Sequence, residues 1–421
     1  MIEFFRCFWE GLKQQSEVPR IQVSPNNHND SKNGHNGLKA PVRKIIPENI
    51  LFFVSTAVIA LIGGPFYLSR YGFQPSLFWL IFLFLIATSI SISAGYHRLF
   101  SHRAYKAHPI VQLFFLFFGA GAFQQSAIRW SSQHRNHHRF VATDLDPYSI
   151  GKGFFYSHIG WLLFWDHTFN FDNVRDLRKN PLLAHQNDHY YLWALASGVA
   201  LPLLIGFSQG QLLGAFIFCV CTRLVMVHHA TFCVNSVCHA FGKEPYDIQS
   251  TAKDNWIVAL FTNGEGHHNY HHRFQNDYRN GVSWYHWDLT KWLIALLSMV
   301  GLASGLYRKS KFEIMEARLE TNQQRLRNLM AGVGKPTHLE HYYEDLEVSY
   351  NILHSRFLTW KKRSGEYQDL FHGKIPKIYK NFLRLAKLKM KAAKRRFLHS
   401  YKQRLKFIRA GQARCPKDPS R

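Results

Sequence analysis

Apolar residues in this chain gather into long runs, and four of these are long enough to cross a bilayer as helices. They lie at about residues 50–68, 77–93, 191–206 and 212–227. SRYGFQPS separates the first two and FSQGQ the last two, so each pair reads as a helical hairpin joined by a short turn. Two further runs are ambiguous, at 109–127 and 289–306. Crossing the membrane with 289–306 would carry the segment after it to the other side, so a surface-lying or capping helix is expected there. Before the first run, residues 1–45 are polar, with NNHNDSKNGHNG as a low-hydrophobicity stretch. They read as a disordered lead-in, and no cleavable signal peptide is expected.

Beyond Arg308 the pattern changes. Residues 311–331 read as a charged helix, and VGKPT at 333–337 is a break. From Pro376 onward Phe382, Ala386, Met390, Ala393, Phe397, Tyr401, Leu405 and Ile408 step by three or four, an apolar stripe on a basic helix. Such a helix lies on an anionic membrane, grips an acidic partner, or covers its own domain. Charge sharpens this picture. The formal net charge is +25, and residues 371–421 hold seventeen Lys and Arg against one acid, Asp418. A chain tethered to a membrane sets nucleic acid aside as a partner. Lys and Arg also accompany the lead-in and follow the second run, which places both on the cytoplasmic side. The six Cys are scattered without ribbon or redox spacing, and no disulfides are expected; Cys219 and Cys221, inside an apolar run, read as small buried residues.

The candidate chemistry lies in histidine. His134, His137 and His138 sit at i, i+3 and i+4, and so do His268, His271 and His272. On a helix each triplet presents its imidazoles on one face. His97 and His102, in HRLFSH, are five apart, so a distorted or extended helix end is needed to bring them to one metal. Asn235 and His239, in NSVCH just after the fourth run, face the same way at i and i+4. This is more than one zinc ion uses, since zinc takes about four ligands. An all-imidazole set suits iron, copper, zinc or nickel. A two-metal count in an apolar setting points to iron, able with O2 to break an unactivated C–H bond where water is excluded. Soluble diiron proteins use carboxylates on a bundle, and here histidines replace them. If 109–127 crossed the membrane, the histidines on its two sides could not share a site. That run is therefore read as buried, re-entrant or interfacial, and an even number of spans puts every cluster on the cytoplasmic face.

GYHRLFSHR, WSSQHRNHHRF, NSVCH and GEGHHNYHH resemble the histidine boxes of membrane fatty-acid desaturases, of the stearoyl-CoA or acyl-lipid Δ9 type. DPYSIGKGFFYSHIGWLL is similar to the segment after the second box, and the resemblance covers about 50–310. It implies an all-α integral membrane protein, with four transmembrane helices in two hairpins under a cytosolic helical cap that holds a histidine-rich diiron site. The domains would be a lead-in at 1–45, a desaturase domain at 46–310 and a basic helical extension at 311–421. By that resemblance His97, His102, His134, His137, His138, His239, His268, His271 and His272 hold two iron ions, with Asn235 acting through a water. No further catalytic residue is expected. The implied reaction puts a cis double bond, at Δ9, into a saturated acyl chain carried on CoA or on a lipid, with O2 and two electrons. The chain lacks an HPGG segment like that of cytochrome b5, so an external donor of ferredoxin or cytochrome b5 type is implied.

The chain departs from the family pattern in places. His267 stands where family members often have Phe and reads as a non-ligand. Ser132-Gln133 and Gly151-Lys152 stand where animal acyl-CoA enzymes carry Arg-Asp and an Arg pair, which removes part of a charged CoA grip. Trp130 and Lys152 are candidate substrate contacts, and Phe140 and Trp161 candidate channel walls. Glu265 and Asp144 are candidate partners for ligand imidazoles. His228 and His229 read as packing or supporting residues. Arg98, Arg135 and Arg139, beside the ligands, suit electrostatics or donor docking, or equally a solvated or lipid-phosphate role. The alternatives are a related membrane diiron hydroxylase or ketolase acting on another lipid, and a non-catalytic scaffold.

Overall fold

The computed structural model describes residues 42–166 and 171–332, with a few single positions between 348 and 362. The apolar runs become four helices long and apolar enough to cross a membrane, and the protein is an integral membrane protein. They are α1 (Pro47–Tyr71), α2 (Pro75–Ser101), α6 (Tyr190–Ser208) and α7 (Leu212–Ala240). Between α2 and α6 lie α3 (Pro109–Ala120), α4 (Ala127–Phe140) and α5 (Pro181–Asp188), and after α7 come α8 (Trp256–Phe261), α9 (His268–Arg273) and α10 (Leu289–Met299). A final helix, α11 (Lys311–Gly332), follows.

Local chemistry sets the hairpin turns. Gly72 closes α1 with φ 71, a left-handed conformation that a Cβ would strain, and Pro75 opens α2, where a missing N–H costs nothing. Between α6 and α7 Gly210 plays the same part at φ 68. Inside the bundle the fully buried Arg223 donates to the carbonyls of Gly121 and Gly198 at 2.8 and 2.9 Å and to Thr88 Oγ1 at 3.0 Å. It also donates to Cys219 O at 2.7 Å, so α2, the end of α3, α6 and α7 are tied at one point without a carboxylate.

The two ambiguous runs do not span. α3 is only twelve residues, with Val111, Phe115 and Leu116 buried while Ile110, Leu113 and Phe114 face outward. α10 is eleven residues and ends at Met299; Gly301 then turns the chain and Ala303–Ser304 pairs with Lys106–Ala107. Residues 42–46, the end of the expected lead-in and the start of the membrane domain, join the fold. Val42–Arg43 pairs with Trp165–Asp166, and Ile46 N donates to Leu163 O at 2.9 Å.

The described residues fall into two compact units: those up to Glu244 with Gln249–Lys309, and Pro245–Ile248 with those from Ser310 on. In the second, Ser310 and Glu313 exchange hydrogen bonds at the start of α11, and Arg318 meets Tyr246 OH at 2.6 Å. The apolar stripe from Phe382 to Ile408 lies outside the described residues, as do residues 1–41.

Candidate metal centre

The last eleven residues of α2, Ser91–Ser101, are wound as a π-helix, in which hydrogen bonds run from i to i+5. His102 N accordingly donates to His97 O at 3.1 Å. A ladder of that period stacks residues five apart, and this is the helix distortion that the HRLFSH spacing requires. The rings of His97 and His102 lie 4.8 Å apart. α4 starts from a Ser126 cap and carries its triplet in its last two turns. The short α9 carries the other triplet, and His239 lies in the last turn of α7.

Nine histidines converge in two groups, and in each group one ring nitrogen per residue lies within 4.8 Å of all the others. One group is His97, His102, His134, His138 and His271; the other is His137, His239, His268 and His272. Each HxxHH triplet is therefore divided between the groups. The i, i+4 pair of α4 serves the first group and the i, i+4 pair of α9 the second, while His137 and His271 cross over. Asn235, one helical turn before His239, lines the adjoining cavity.

Several contacts fix which nitrogen faces inward. His97 Nδ1 lies 2.7 Å from Glu265 Oε2, His137 Nδ1 2.8 Å from Asp146 Oδ1, and His239 Nδ1 2.7 Å from Thr251 Oγ1. The two carboxylates accept, so His97 and His137 donate from Nδ1 and each of their Nε2 atoms presents a lone pair to the centre, while the Thr251 hydroxyl orients the His239 ring. His97 Nε2 lies 2.9 Å from His271 Nε2, and His239 Nε2 lies 3.0 Å from His268 Nε2. Buried His137 Nε2 finds no hydrogen-bond partner among the described residues. Burial, with the neighbouring imidazoles, holds His102, His134, His138, His268, His271 and His272 well below the ordinary histidine range. Neutral imidazoles with inward lone pairs are the form that metal ions need, and the buried donor set fits a metal site.

Glu265 carries the charge behind the first group. Burial alone would raise its carboxyl, but Arg98 and His97 outweigh this and bring it down to about 2. It accepts from Arg98 Nη2 at 2.9 Å and Asn280 Nδ2 at 2.6 Å, and Ser93 Oγ also donates to it. Asp288 takes the other edge of the Arg98 guanidinium at 3.0 and 3.1 Å. The carboxylate at His137 is Asp146, not Asp144, whose main-chain oxygen instead accepts from Lys152 Nζ at 3.2 Å. The spacing in TDLDPY offers both acids, and only the turn after α4 decides between them. Nothing in the sequence marks Thr251.

A cavity of about 910 Å³ runs up to the centre, touching His97, His134 and His268. Phe52, Phe53, Phe123, Trp130, Trp161 and Phe232 wall it, and Glu48, Asn49, Arg129 and Arg178 form part of its polar lining. Trp130 stacks on His134 with ring centroids 4.9 Å apart, and its Nε1 donates to Gln124 Oε1 at 3.3 Å. Gln124 Nε2 in turn donates to Thr231 Oγ1 at 3.0 Å, which locks this wall across to α7. Phe140 and Lys152 are not on the cavity wall; Lys152 sits over the Tyr156 ring at 5.2 Å. His228 is on the wall, stacked on Phe232 at 5.7 Å, and His229 meets His158 at 3.0 Å. His267 belongs to neither group and stacks on His286 at 5.0 Å.

A family model described as "Fatty acid desaturase" matches residues 75–306. The chain is 42% identical over 240 residues to a probable acyl-CoA desaturase of Schizosaccharomyces pombe, covering 56% of this chain and 50% of that protein. It is 35% identical over 253 residues to stearoyl-CoA desaturase 5 of Bos taurus, covering 58% of this chain and 75% of that protein. It is 36% identical over 227 residues to a chloroplastic palmitoyl-monogalactosyldiacylglycerol delta-7 desaturase of Arabidopsis thaliana, covering 53% and 59%. The chain thus spans about half the length of the fission-yeast relative.

Proposed function

The chain belongs to the fatty acid desaturase family, and we propose from that premise that it removes two hydrogens from a saturated fatty acyl chain to leave a cis double bond, at Δ9. The observation that carries this reading is the meeting of two histidine groups, of five and four residues, with a long aromatic-walled cavity. In the overall balance two C–H bonds break and one C=C bond forms. One O2, two electrons, two protons and the two hydrogens removed leave as two waters.

Two iron ions held by the nine histidines, the second also through a water on Asn235, would supply the activation of O2 and the removal of hydrogen. The remaining work falls to this chain's own residues. Glu265 and Asp146 hold two imidazoles in the tautomer that faces inward, and Thr251 orients the ring of a third. Aromatic walls keep water from an acyl chain lying beside His97, His134 and His268. Trp130, pinned through Gln124 to Thr231, sets where along the chain the reacting carbons stop. The acyl group arrives on CoA or on a lipid, classes that appear in the names of the relatives. Electrons come from a separate donor of ferredoxin or cytochrome b5 type, and the centre faces the cytoplasm by the distribution of Lys and Arg.

The test is a double-bond-resolved fatty-acid profile of a host expressing the chain, beside a His137→Ala control. New monounsaturated chains absent from the control support desaturation and give the bond position. Hydroxylated products in their place would overturn it in favour of a hydroxylase.

A further inference from the structure

Three histidines of the four-histidine group depend on one loop, residues 243–254. Its neck is closed by a short bridge, in which Lys243 N donates to Asp254 O at 3.0 Å and Asp254 N to Lys243 O at 2.7 Å. The ion pair of Glu244 with Lys253 closes it further. Lys253 N also donates to Cys238 O at 2.6 Å, which stitches the loop to the last turn of α7 beside His239. Thr251, on the same loop, meets His239 Nδ1 at 2.7 Å. The loop then seats α9. Asp254 Oδ1 accepts from the main-chain N–H groups of Asn269 and Tyr270 at 2.8 and 3.2 Å, and Ala252 O accepts from Asn269 Nδ2 at 2.8 Å. Asn269, Tyr270 and Ala252 are fully buried, so water cannot take over these bonds. His239, His268 and His272 are thereby placed by one stretch of chain, whereas the five-histidine group takes only His271 from it.

The tip of the loop, Pro245–Ile248, belongs with α11 to the second compact unit. Tyr246 in that tip is 3% exposed. Arg318 of α11 donates from Nη2 to its hydroxyl at 2.6 Å, and the guanidinium carbon stands 4.8 Å from its ring centroid, so one cation holds both the ring and the OH. Ile314, Ala317, Leu319 and Thr321 of α11 are buried, which gives Arg318 a fixed base. α11 lies beyond residues 75–306, the stretch that the family model matches. Thr251 follows Tyr246 by five residues. We propose that Arg318 is a positioning residue for the four-histidine metal site: by holding Tyr246 it fixes the loop that orients His239 and seats α9. The proposal rests on the two-metal reading of the histidines. A loop closed at its neck and held at its tip has little freedom to open, and releasing the tip lowers the free energy of local opening. A metal site tolerates displacements of only about 0.5 Å in its ligands, so the loosened loop is felt as lost affinity.

The test uses the full chain in nanodiscs, loaded with iron and titrated with a chelator, and compares Arg318→Ala with wild type. The variant should release one ion at a chelator concentration about tenfold lower, while the other moves by less than about threefold. Asp146→Asn, which strips His137 of its carboxylate, marks which ion belongs to the four-histidine group. Arg318→Lys keeps a cation at the Tyr246 ring and should recover most of the loss, and Lys311→Ala, at the exposed start of α11, should change nothing. A second arm needs no metal. In chelator-stripped protein the main-chain amides of residues 241–254 and 268–272 should exchange with solvent faster in Arg318→Ala than in wild type, and those of Ser91–Ser101 at the wild-type rate. If Arg318→Ala fails to fold, Tyr246→Phe, which removes only the hydroxyl, carries both arms with a smaller effect. Equal shifts of the two ions, no shift, or unchanged amide exchange would overturn the assignment. If wild type holds fewer than two ions, the two-metal reading fails, and the exchange arm still decides whether Arg318 fixes the loop.

Discussion

Exchanging Asp146 for Asn, and separately Glu265 for Gln, tests whether each group of histidines is governed by its own carboxylate. Asp146 Oδ1 holds His137 Nδ1 at 2.8 Å and Tyr148 N at 3.2 Å, while Oδ2 accepts from Ala142 N at 3.2 Å. An amide cannot accept on both sides, so one buried N–H loses its partner at a cost of roughly 1–3 kcal/mol. The imidazole also loses the negative charge that raises its basicity, and removing such a partner lowers metal affinity by about 10–100-fold. His137 serves only the four-histidine group and His97 only the five-histidine group. Asp146→Asn should therefore weaken one metal site, and Glu265→Gln the other. The assay is metal content per chain during titration with a chelator. Wild type should release two ions at similar chelator concentrations. Each variant should release one ion at a concentration about 10–100-fold lower while the other follows the wild-type curve. Both ions shifting together in either variant, or no shift, would refute the division of labour.

Three further outcomes are expected. The six imidazoles named above have folded values below the unfolded value of about 6.5, so below that pH the unfolded chain binds more protons. The melting temperature of chelator-stripped protein should accordingly hold from pH 8 to about 6.5 and fall below it, and a rise on acidification would contradict the sign. A Cβ on Gly95 would lie 2.5 Å from Phe115 Cβ, so Gly95→Ala should cost roughly 1–3 kcal/mol and lower the melting temperature by several degrees; an unchanged value would rule out this close packing. Trp130→Ala opens the wall beside His134, and product analysis should show a spread of double-bond positions where wild type makes one. A single unchanged position would remove Trp130 from that role.

The four spans and the two histidine triplets were legible because each rests on one-dimensional information, whereas the set of nine followed from the resemblance. Spanning length is a matter of run and composition, and i, i+4 spacing already fixes neighbours on a helix. The division of each triplet between two groups was not legible, because it depends on how α4 and α9 cross. The π winding of Ser91–Ser101 was visible only as the need for a distorted helix end. Asp146 and Thr251 escaped for a similar reason, as both act from irregular turns where a shift of two residues changes the partner. The Gln124–Thr231 bond links positions 107 residues apart, and neither residue stands out locally.

α2 and α7 do not stop where the apolar runs end, and this gives the bilayer mechanical leverage over the centre. At 27 residues, the last eleven in the shorter-rise π winding, α2 is about 37 Å long, several ångström more than the hydrocarbon layer, and His97 rides near its far end. Pivoted at Thr88, about 12 Å before His97, a rock of about 5° moves that histidine by roughly 1 Å, while a coordination site tolerates about 0.5 Å. Hydrophobic mismatch is one load on helix tilt, so a thinner or thicker membrane adds to the load on the lever that carries His97. Arg223, holding Thr88 of α2 and the carbonyls of Gly121 and Gly198, acts as the fulcrum pin against that load.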